Sequence, residues 1–551
     1  MAKYTIGIDF GSLSGRTVLT DVANGREIAA ATLDYPHAVM DTKLAKSGAT
    51  LPADFALQDP ADYLLVLTTT IPQVLAKGGV SPADVVGIAL DFTTCTLLPV
   101  DAQGTPLCFD PAFEKEPLAY TLLWKHHAAQ KYADRMNEVA RERGEAFLEQ
   151  VGGIISSEWM FPKIYQVLEE APAVYEKAAY FIDAADWVTW MLCGKQHRSY
   201  QFAAYKSLYV KGVGYPSEAY FAAVDPRLTH VVKDKLTEPD CILGDKVGEL
   251  TAEMAALTGL RPGIAVGAPA PDAHIAALAL GVKQEGDMFG VLGTSGCFFL
   301  VSNEGKTVPG TCGTVADGVL PGLYGYEAGL CCFGDHFAFA AEKLTSAAYQ
   351  KEAEERGIPM IKLLIEKAAL KKPGESGVIA LNWFNGNRST LVNSELSGLF
   401  LGMTLTTAPE DLMRALIEAT AFGWRNIVEA YESCGVPVKN IIASGGIARK
   451  DPFSMQLYAD VLGKDITITE TAQAPAASAS IAATVAAGCY ADLIAASDAM
   501  ASKKDRVFKP IAAHTAIYDQ LYAEYKRLHD YFGKGENDVM RHLRRLSAEQ
   551  K

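Results

Sequence analysis

The sequence predicts a duplicated α/β protein, and three observations support this fold class. A strand, a Gly/Ser turn and a second strand occupy residues 4–21. The same arrangement returns at residues 286–300, around Gly293-Thr294-Ser295-Gly296. In each half an amphipathic helix follows the hairpin, and an apolar strand that ends in a small polar loop follows that helix. A chain of 551 residues is long enough for two domains, which we predict at 1–283 and 284–551.

The first half opens with a three-stranded antiparallel meander. Asn24-Gly25 suits a tight primed turn, which joins the second strand to a third. Pro60 is typical of the first turn of a helix, and the apolar periodicity after it supports that start. The further elements of this half are predicted as a strand over 27–33, a helix over 60–77, a strand over 85–90 and a polar loop over 91–96.

The second half repeats these elements with longer insertions. A turn at Asn303-Glu304-Gly305 follows its hairpin, and Pro409 opens its long helix. The Ala/Ser-rich segment 476–487 predicts a tightly packed helix, and 513–546 is predicted as one exposed helix rich in Tyr, Lys and Arg. The elements that match the first half are predicted as a helix over 409–434, a strand over 439–443 and a loop over 444–446.

Composition excludes several classes of protein. The formal charge of -15 repels phosphate backbones, and no apolar run approaches the roughly 18 residues of a membrane helix. We therefore expect neither nucleic acid nor a membrane as partner. The ten cysteines are scattered without Cys-x-x-Cys spacing, which indicates free thiols. The N-terminus enters a strand pattern with no signal-peptide core, so we expect a cytoplasmic protein.

The two glycine turns predict a polyphosphate site. A turn without bulky side chains lets backbone N–H groups approach an anion closely, so Gly11-Ser12 and Gly293-Thr294-Ser295-Gly296 could grip a polyphosphate from two sides. Asp9, just before the first turn, suits a water-mediated contact to Mg²⁺. One such turn alone is more often an ordinary hairpin, but its recurrence in both halves favours phosphate binding. The P-loop pattern is absent, and neither hairpin carries Gly-x-Gly-x-x-Gly.

The residues around both turns resemble a known superfamily. Ile8-Asp9-Phe10-Gly11-Ser12 and the second turn are similar to the two phosphate loops of the actin/hexokinase/sugar-kinase superfamily. The resemblance narrows to the FGGY carbohydrate kinases at the segments 91–96, 123–130, 155–160, 382–388 and 445–460. It implies two actin-like (ribonuclease H-like) domains, each a mixed sheet flanked by helices, with a ligand cleft between them. The N-terminal domain would bind mainly the sugar, and the C-terminal domain mainly ATP with Mg²⁺.

The resemblance also implies roles for individual residues. Asp272 ends an apolar strand ahead of an Ala-rich helix, and taken by itself it would be a helix N-cap. The resemblance implies instead that Asp272 accepts the proton of the sugar hydroxyl. The implied sugar-binding residues are Thr94, Cys95, Lys206, Asp272 and Glu327. The implied nucleotide-binding residues are Gly11, Ser12, Arg16, Gly293, Thr294, Ser295, Gly445, Gly446 and Lys450, with Asp9 on the metal.

The implied reaction is the ATP-dependent phosphorylation of a ketopentose. L-Ribulose, giving L-ribulose 5-phosphate in L-arabinose catabolism, is the substrate that the narrower segments favour. Alternatives within the family are D-ribulose, xylulose and a pentitol. Outside it stand an actin-like ATPase without a sugar substrate and an inactive sugar sensor, and the intact Asp9 and Asp272 argue against the sensor. The expected partners are a small-molecule sugar and ATP, and a homodimer is compatible with this interpretation.

Overall fold

The computed structural model describes residues 2–469, 471 and 473–550, without the side chains of Lys504, Asp505 and Ala548. The chain forms two compact units. Unit 1 consists of Met1–Lys283, Val315–Tyr324 and Gln473–Ser502; unit 2 consists of Gln284–Thr314, Gly325–Ala472 and Lys503–Lys551. The sequence analysis assigned Val315–Tyr324 and Gln473–Ser502 to the second domain, but both segments pack with unit 1.

The first seven-stranded sheet lies in unit 1. Its order is β3-β2-β1-β5-β10-β9, with β11 also paired to β5, and β4-β7-β6-β8 form a separate four-stranded sheet. β1 pairs with β2 antiparallel and with β5 parallel. The strands are β1 Tyr4–Phe10, β2 Ser14–Asp21, β3 Glu27–Asp34, β4 Leu57–Gln58, β5 Val85–Phe92, β6 Leu97–Val100, β7 Thr121–Leu122, β8 Tyr180–Asp183, β9 Lys246–Glu249, β10 Ala265–Gly267 and β11 Ala270–Pro271.

A second seven-stranded sheet repeats this order. It runs β14-β15-β13-β12-β18-β19-β20, so the order from β15 to β20 matches that from β3 to β9. The strand that pairs with β13 on its outer side is β15. It does not follow the Asn303-Glu304-Gly305 turn directly, because residues 303–323 separate β13 from β15. β16 and β17 pair with each other in a separate two-stranded sheet. The strands from residue 287 onward are β12 Asp287–Leu292, β13 Gly296–Ser302, β14 Gly313–Ala316, β15 Tyr324–Leu330, β16 Ile379–Leu381, β17 Leu399–Leu401, β18 Asn440–Ser444, β19 Ile466–Thr469 and β20 Lys504–Phe508.

Helices flank both sheets. The helices up to residue 280 are α1 Pro60–Gly78, α2 Gln130–Arg143, α3 Phe147–Gln150, α4 Met160–Glu170, α5 Pro172–Lys177, α6 Ala184–Cys193, α7 Tyr200–Lys206, α8 Glu218–Val224, α9 Val231–Lys235, α10 Ala252–Thr258, α11 Asp272–Ile275 and α12 Ala277–Leu280. Those that follow are α13 Gly334–Lys343, α14 Ala347–Arg356, α15 Met360–Ala369, α16 Pro409–Ser433, α17 Gly446–Lys450, α18 Pro452–Leu462, α19 Ala474–Ala486, α20 Leu493–Met500, α21 Ala512–Gly533 and α22 Val539–Glu549. Among the described residues, no helix combines the length and the apolar character that crossing a membrane requires.

The C-terminal tail differs from its prediction as one exposed helix. It forms two helices, α21 and α22, and α21 packs against α18 and β16 of unit 2. Tyr518, Tyr522 and Tyr525 are buried because their spacing puts them on one face of α21. The Tyr518 hydroxyl accepts a hydrogen bond from Arg414 Nη2 at 2.8 Å. The tail is therefore part of the core of unit 2.

Candidate active site

Three carboxylates meet at the carboxyl ends of neighbouring parallel strands in unit 1. Asp9 of β1 is in register with Asp91 of β5, and Asp91 is in register with Ala270 of β11. Asp272 follows β11 directly and is the first residue of α11. Ligands of open α/β sheets bind at the carboxyl ends of the strands, so this edge is the candidate active site.

Asp272 is not an N-cap. The cap position belongs to Pro271, and the Asp272 carboxylate accepts a hydrogen bond from the N–H of Ala273, its own neighbour, at 2.7 Å. The side chain of Asp272 is only partly buried. The carboxylate therefore lies at the ends of the strands and does not cap α11.

Asp91 is the residue at this edge to which sequence analysis gave no role. It is fully buried, and burial raises its pKa well above the usual value, with the charges of Asp9 and Asp272 adding to the shift. Burial and the two neighbouring carboxylates thus favour the protonated form of Asp91. The signal that could have found it is the one that identified Asp9, an acidic residue at the end of an apolar strand.

Asp9 lies opposite Arg16 across the first hairpin. The two residues are in register between β1 and β2, and Arg16 Nη1 lies 3.5 Å from Asp9 Oδ2. Burial raises the pKa of Asp9, and the guanidinium of Arg16 opposes that rise. The hairpin thus holds a buried carboxylate and a half-exposed cation immediately beside the glycine turn.

The first glycine turn has its carbonyl groups occupied from within unit 1. Tyr35 donates from its hydroxyl to the Gly11 carbonyl at 3.0 Å and from its backbone N–H to the Leu13 carbonyl at 2.9 Å. Gln58 Nε2 donates to the Ser12 carbonyl at 2.8 Å. Among the described residues, no acceptor is bonded to the N–H groups of Ser12 and Leu13. The turn therefore presents amide donors, the groups that bind an anion.

The second glycine turn is built in the same way in unit 2. The Gly293 carbonyl accepts from the N–H of Gly334 at 2.9 Å, and the Thr294 carbonyl accepts from that of Phe333 at 2.8 Å. The Ser295 carbonyl accepts from the N–H of Gly293 at 3.0 Å. Within the described part of the chain, the amides of Thr294 and Ser295 have no acceptor. Each unit thus carries a turn that is prepared for an anion.

The loop 444–446 lies beside the second turn. Ser444 of β18 is in register with Val291 of β12. Gly445 has a φ of 96°, and a Cβ there would lie 2.5 Å from the carbonyl oxygen of Leu292, so only glycine fits. Gly446 is the first residue of α17, and Lys450, the last residue of that helix, is exposed. The structure therefore brings Gly445 and Gly446 close to the second turn and leaves Lys450 at the far end of a five-residue helix.

The loop after Asp91 carries two of the implied sugar-binding residues. Cys95 has a positive φ of 57°, and its carbonyl accepts a hydrogen bond from the buried Lys163 Nζ at 2.6 Å. Burial raises the pKa of the Cys95 thiol to about 12, so the thiol stays neutral. Thr94, next to it, is partly exposed. Lys163 thus holds the backbone of this loop at Cys95, and Thr94 remains partly exposed at its surface.

Lys206 and Glu327 lie in different units. Lys206 ends α7, a helix that packs against β11, and its Nζ lies 5.7 Å from the centre of the Trp159 ring. Glu327 is a partly buried residue of β15 in unit 2. Unit 1 thus gathers Thr94, Cys95, Lys206 and Asp272 around the ends of β5 and β11.

The repeated strand order and the paired turns define a class, the actin-like α/β proteins. Two solved structures show the same fold over both units. The xylulose kinase from Rhodospirillum rubrum has a TM-score of 0.78 at 22% identity, covering 96% of this chain and 98% of that one. The gluconate kinase from Lactobacillus acidophilus has a TM-score of 0.80 at 18% identity, covering 97% and 99%. The predicted actin-like fold is confirmed.

The chain belongs to the FGGY family of carbohydrate kinases. The model of that family's N-terminal domain matches residues 4–279, and the model of its C-terminal domain matches residues 288–487. A ribulokinase from Bacillus licheniformis is 49% identical over 538 residues, 97% of each chain. One from Geobacillus thermodenitrificans is 48% identical over 546 residues, 98% of this chain and 97% of its own. The protein is thus a carbohydrate kinase with ATP as co-substrate, as the sequence predicted.

Proposed function

We propose that the protein phosphorylates L-ribulose with ATP to give L-ribulose 5-phosphate and ADP. The observation that carries this proposal is the match, along almost the entire chain, to curated proteins named ribulokinase. The solved neighbours named after xylulose and gluconate are far less similar in sequence, so they support the fold and not the substrate. These matches span at least 97% of this chain, so both units take part in them.

Asp272 is the proposed general base. Phosphoryl transfer requires an oriented nucleophile and charge stabilisation, and a carboxylate that accepts the hydroxyl proton supplies the first. The partly exposed position of Asp272 at the strand ends supports this role. Thr94, Lys206 and Glu327 are proposed to bind the other hydroxyl groups of the sugar, and Cys95 to shape the pocket with its neutral thiol.

ATP is proposed to bind through the amides of both glycine turns. Arg16 and Lys450 add positive charge, and Asp9 is the proposed contact to Mg²⁺ through water. Among the described residues, no group of three or more His, Cys, Asp or Glu side chains could hold a metal ion. A single carboxylate fits Mg²⁺ nevertheless, because this ion keeps several waters and takes most other ligands from substrate phosphates. Bound there, Mg²⁺ would neutralise phosphate charge.

A pair of neighbouring glycines tests the nucleotide site. Beyond Gly446 itself, its two chain neighbours and the backbone of α17, no atom of the described residues lies within 4 Å of a Cβ built on Gly446, so Gly446→Ala should fold normally. If the loop lies flat against the nucleoside, the added methyl group should raise the KM for ATP about tenfold, the loss of roughly 1.4 kcal/mol of binding. Gly445→Ala is the contrast, because its Cβ meets the Leu292 backbone and the melting temperature should fall. An unchanged ATP KM in Gly446→Ala contradicts the proposed contact.

The substrate is tested by ADP release with a panel of sugars. We expect the kcat/KM for L-ribulose to exceed that for D-ribulose, xylulose and the pentitols, since a site that hydrogen-bonds several hydroxyls discriminates against an inverted one. A higher kcat/KM for another sugar would show that this sugar is the substrate, and the assignment to the carbohydrate kinases would stand. ADP release that no sugar accelerates would favour the ATPase alternative.

The proposed reaction takes place in the cytoplasm. All ten cysteines are free thiols in the structure, and each of them is buried or partly buried. Free thiols are the usual state of cysteine in a reducing compartment, which supports this location.

A further inference from the structure

The first glycine turn has a side-chain contact that the proposed function does not use. Trp124 Nε1 donates a hydrogen bond to Ser12 Oγ at 2.9 Å. Both side chains are partly buried, and they lie 112 residues apart in the sequence. Ser12 is therefore held at two atoms, since Gln58 also donates to its carbonyl. Its backbone N–H is one of the two amides that the turn presents.

A buried cation holds the backbone directly before Trp124. Lys163 is fully buried, and its Nζ donates to the carbonyls of Leu123 at 2.8 Å, Leu122 at 3.3 Å and Cys95 at 2.6 Å. A buried ammonium with three carbonyl acceptors has all its donors satisfied, so the geometry is well determined. The residue directly before Trp124 is thus tied to the same cation as the loop that carries Thr94 and Cys95.

We propose that Trp124 is a positioning residue that orients the Ser12 hydroxyl for a phosphate oxygen of ATP. This inference rests on the proposed function, in which the Ser12 turn binds phosphate. The contact also joins the turn, through Trp124 and Lys163, to the loop after Asp91. The nucleotide side and the sugar side of unit 1 are therefore connected by four consecutive hydrogen-bonded or bonded steps: Ser12 to Trp124, Trp124 to Leu123, Leu123 to Lys163, and Lys163 to Cys95.

The hydrogen-bonding groups of a serine hydroxyl explain how Trp124 can orient it. The hydroxyl has one proton to donate and two lone pairs to accept with. An indole N–H only donates, so it occupies a lone pair of Ser12 Oγ and leaves the serine proton for an acceptor. A phosphate oxygen is such an acceptor, and its charge strengthens the bond. Without the indole, the hydroxyl would rotate among staggered positions, and part of its binding free energy would be lost.

A double-mutant cycle with Trp124→Phe and Ser12→Ala tests the proposal. Phenylalanine keeps an aromatic ring and removes the N–H, so Trp124→Phe should lower kcat/KM for ATP about tenfold, and Ser12→Ala should do so at least as much. Because Trp124 acts through Ser12, the double variant should be no worse than Ser12→Ala alone. The KM for the sugar should stay within about twofold of the wild-type value. The proposal would be overturned if the losses of the two single variants multiplied in the double variant, or if Trp124→Phe changed only the KM for the sugar.

Trp187→Phe is the matched control. The Trp187 indole N–H donates to the Gly104 carbonyl at 2.7 Å, in the buried core of unit 1. Its replacement therefore also removes an indole hydrogen bond, and it should lower the melting temperature without changing the KM for ATP. If Trp187→Phe raised that KM as much as Trp124→Phe, general loosening of unit 1 would explain both results.

A measurement without turnover separates this inference from the proposed function. The six tryptophans give indole N–H signals after ¹⁵N labelling, and the signal missing in Trp124→Phe belongs to Trp124. That signal should shift in Ser12→Ala and when ADP is added without sugar. If Trp124→Phe does not fold, the signal most shifted by Ser12→Ala identifies Trp124, and it must also shift with ADP. If the Trp124 signal does not shift in Ser12→Ala or does not shift with ADP, the inference is overturned. Wild-type protein that is inactive on L-ribulose would overturn only the proposed substrate.

Discussion

Asp272→Asn should lower kcat for sugar phosphorylation by about 10²–10⁴-fold, the range that general-base catalysis contributes. Asparagine has nearly the same shape as aspartate but cannot accept the hydroxyl proton. Its amide oxygen can still accept the hydrogen bond that Ala273 N–H donates at 2.7 Å, so α11 should begin as in the wild type. ADP release from ATP and L-ribulose measures the loss. The shift of melting temperature that ATP induces should persist, because the nucleotide contacts are unchanged.

Asp492→Asn is the matched control for this substitution. Asp492 caps α20 in unit 1, accepting a hydrogen bond from the N–H of Ala495 at 2.8 Å, and its side chain is exposed. Aspartate and asparagine are about equally good caps, so this variant should keep wild-type kcat and stability. An Asp272→Asn enzyme that kept more than about a tenth of wild-type kcat would show that another group takes the proton.

The sequence was sufficient for the parts of the fold that depend on neighbouring residues. Both hairpins follow from local patterns, since a glycine turn between two apolar strands has few other solutions. The helices predicted to open at Pro60 and Pro409 do begin there, because proline suits the first turn and apolar periodicity supports the rest. The repeat of the two halves predicted a duplicated α/β protein, and the resemblance of both turns to the phosphate loops of a known superfamily implied the actin-like fold.

Contacts between distant segments could not be predicted. The pattern of 476–487 indicated a tightly packed helix but not its partner, and the structure packs α19 against β1 and β5 of unit 1. Asp91 is a similar case in the candidate site. Its buried position beside Asp9 depends on the parallel pairing of β1 with β5, which no local pattern of residues records.

The tail shows the limit of inferring exposure from charge. Lys and Arg residues in 513–546 suggested a solvated helix, yet Tyr518, Tyr522 and Tyr525 bury one face of α21. Burying a tyrosine hydroxyl without a hydrogen-bond partner would be costly. In the structure these groups have partners, including Glu429 for Tyr522 at 2.7 Å and Asn382 for Tyr525 at 2.8 Å. A buried tyrosine needs such a partner, and only the tertiary structure supplies it.

Gly7→Ala should be among the most destabilising single-methyl changes in the chain. Gly7 lies in the middle of β1, where α19 lies directly on the strand. A Cβ at this position would lie 1.9 Å from the carbonyl oxygen of Ala476 and 2.4 Å from the backbone nitrogen of Ser480. Both atoms belong to a helix backbone and cannot rotate away. We expect a cost of about 3 kcal/mol, at the upper end of ordinary overpacking, and a melting temperature lower by about 5 °C or more.

Gly290→Ala provides the contrast that assigns this loss to the docking of α19. Gly290 also lies within a strand, β12, but a Cβ there would first meet the side chain of Phe298, at 3.1 Å. A ring can move by a few tenths of an ångström, so this variant should melt much closer to the wild type. Thermal unfolding of both variants beside the wild type decides the matter. If Gly7→Ala melted no lower than Gly290→Ala, residues 474–486 would not lie on β1, and their assignment to unit 1 would fail with that contact.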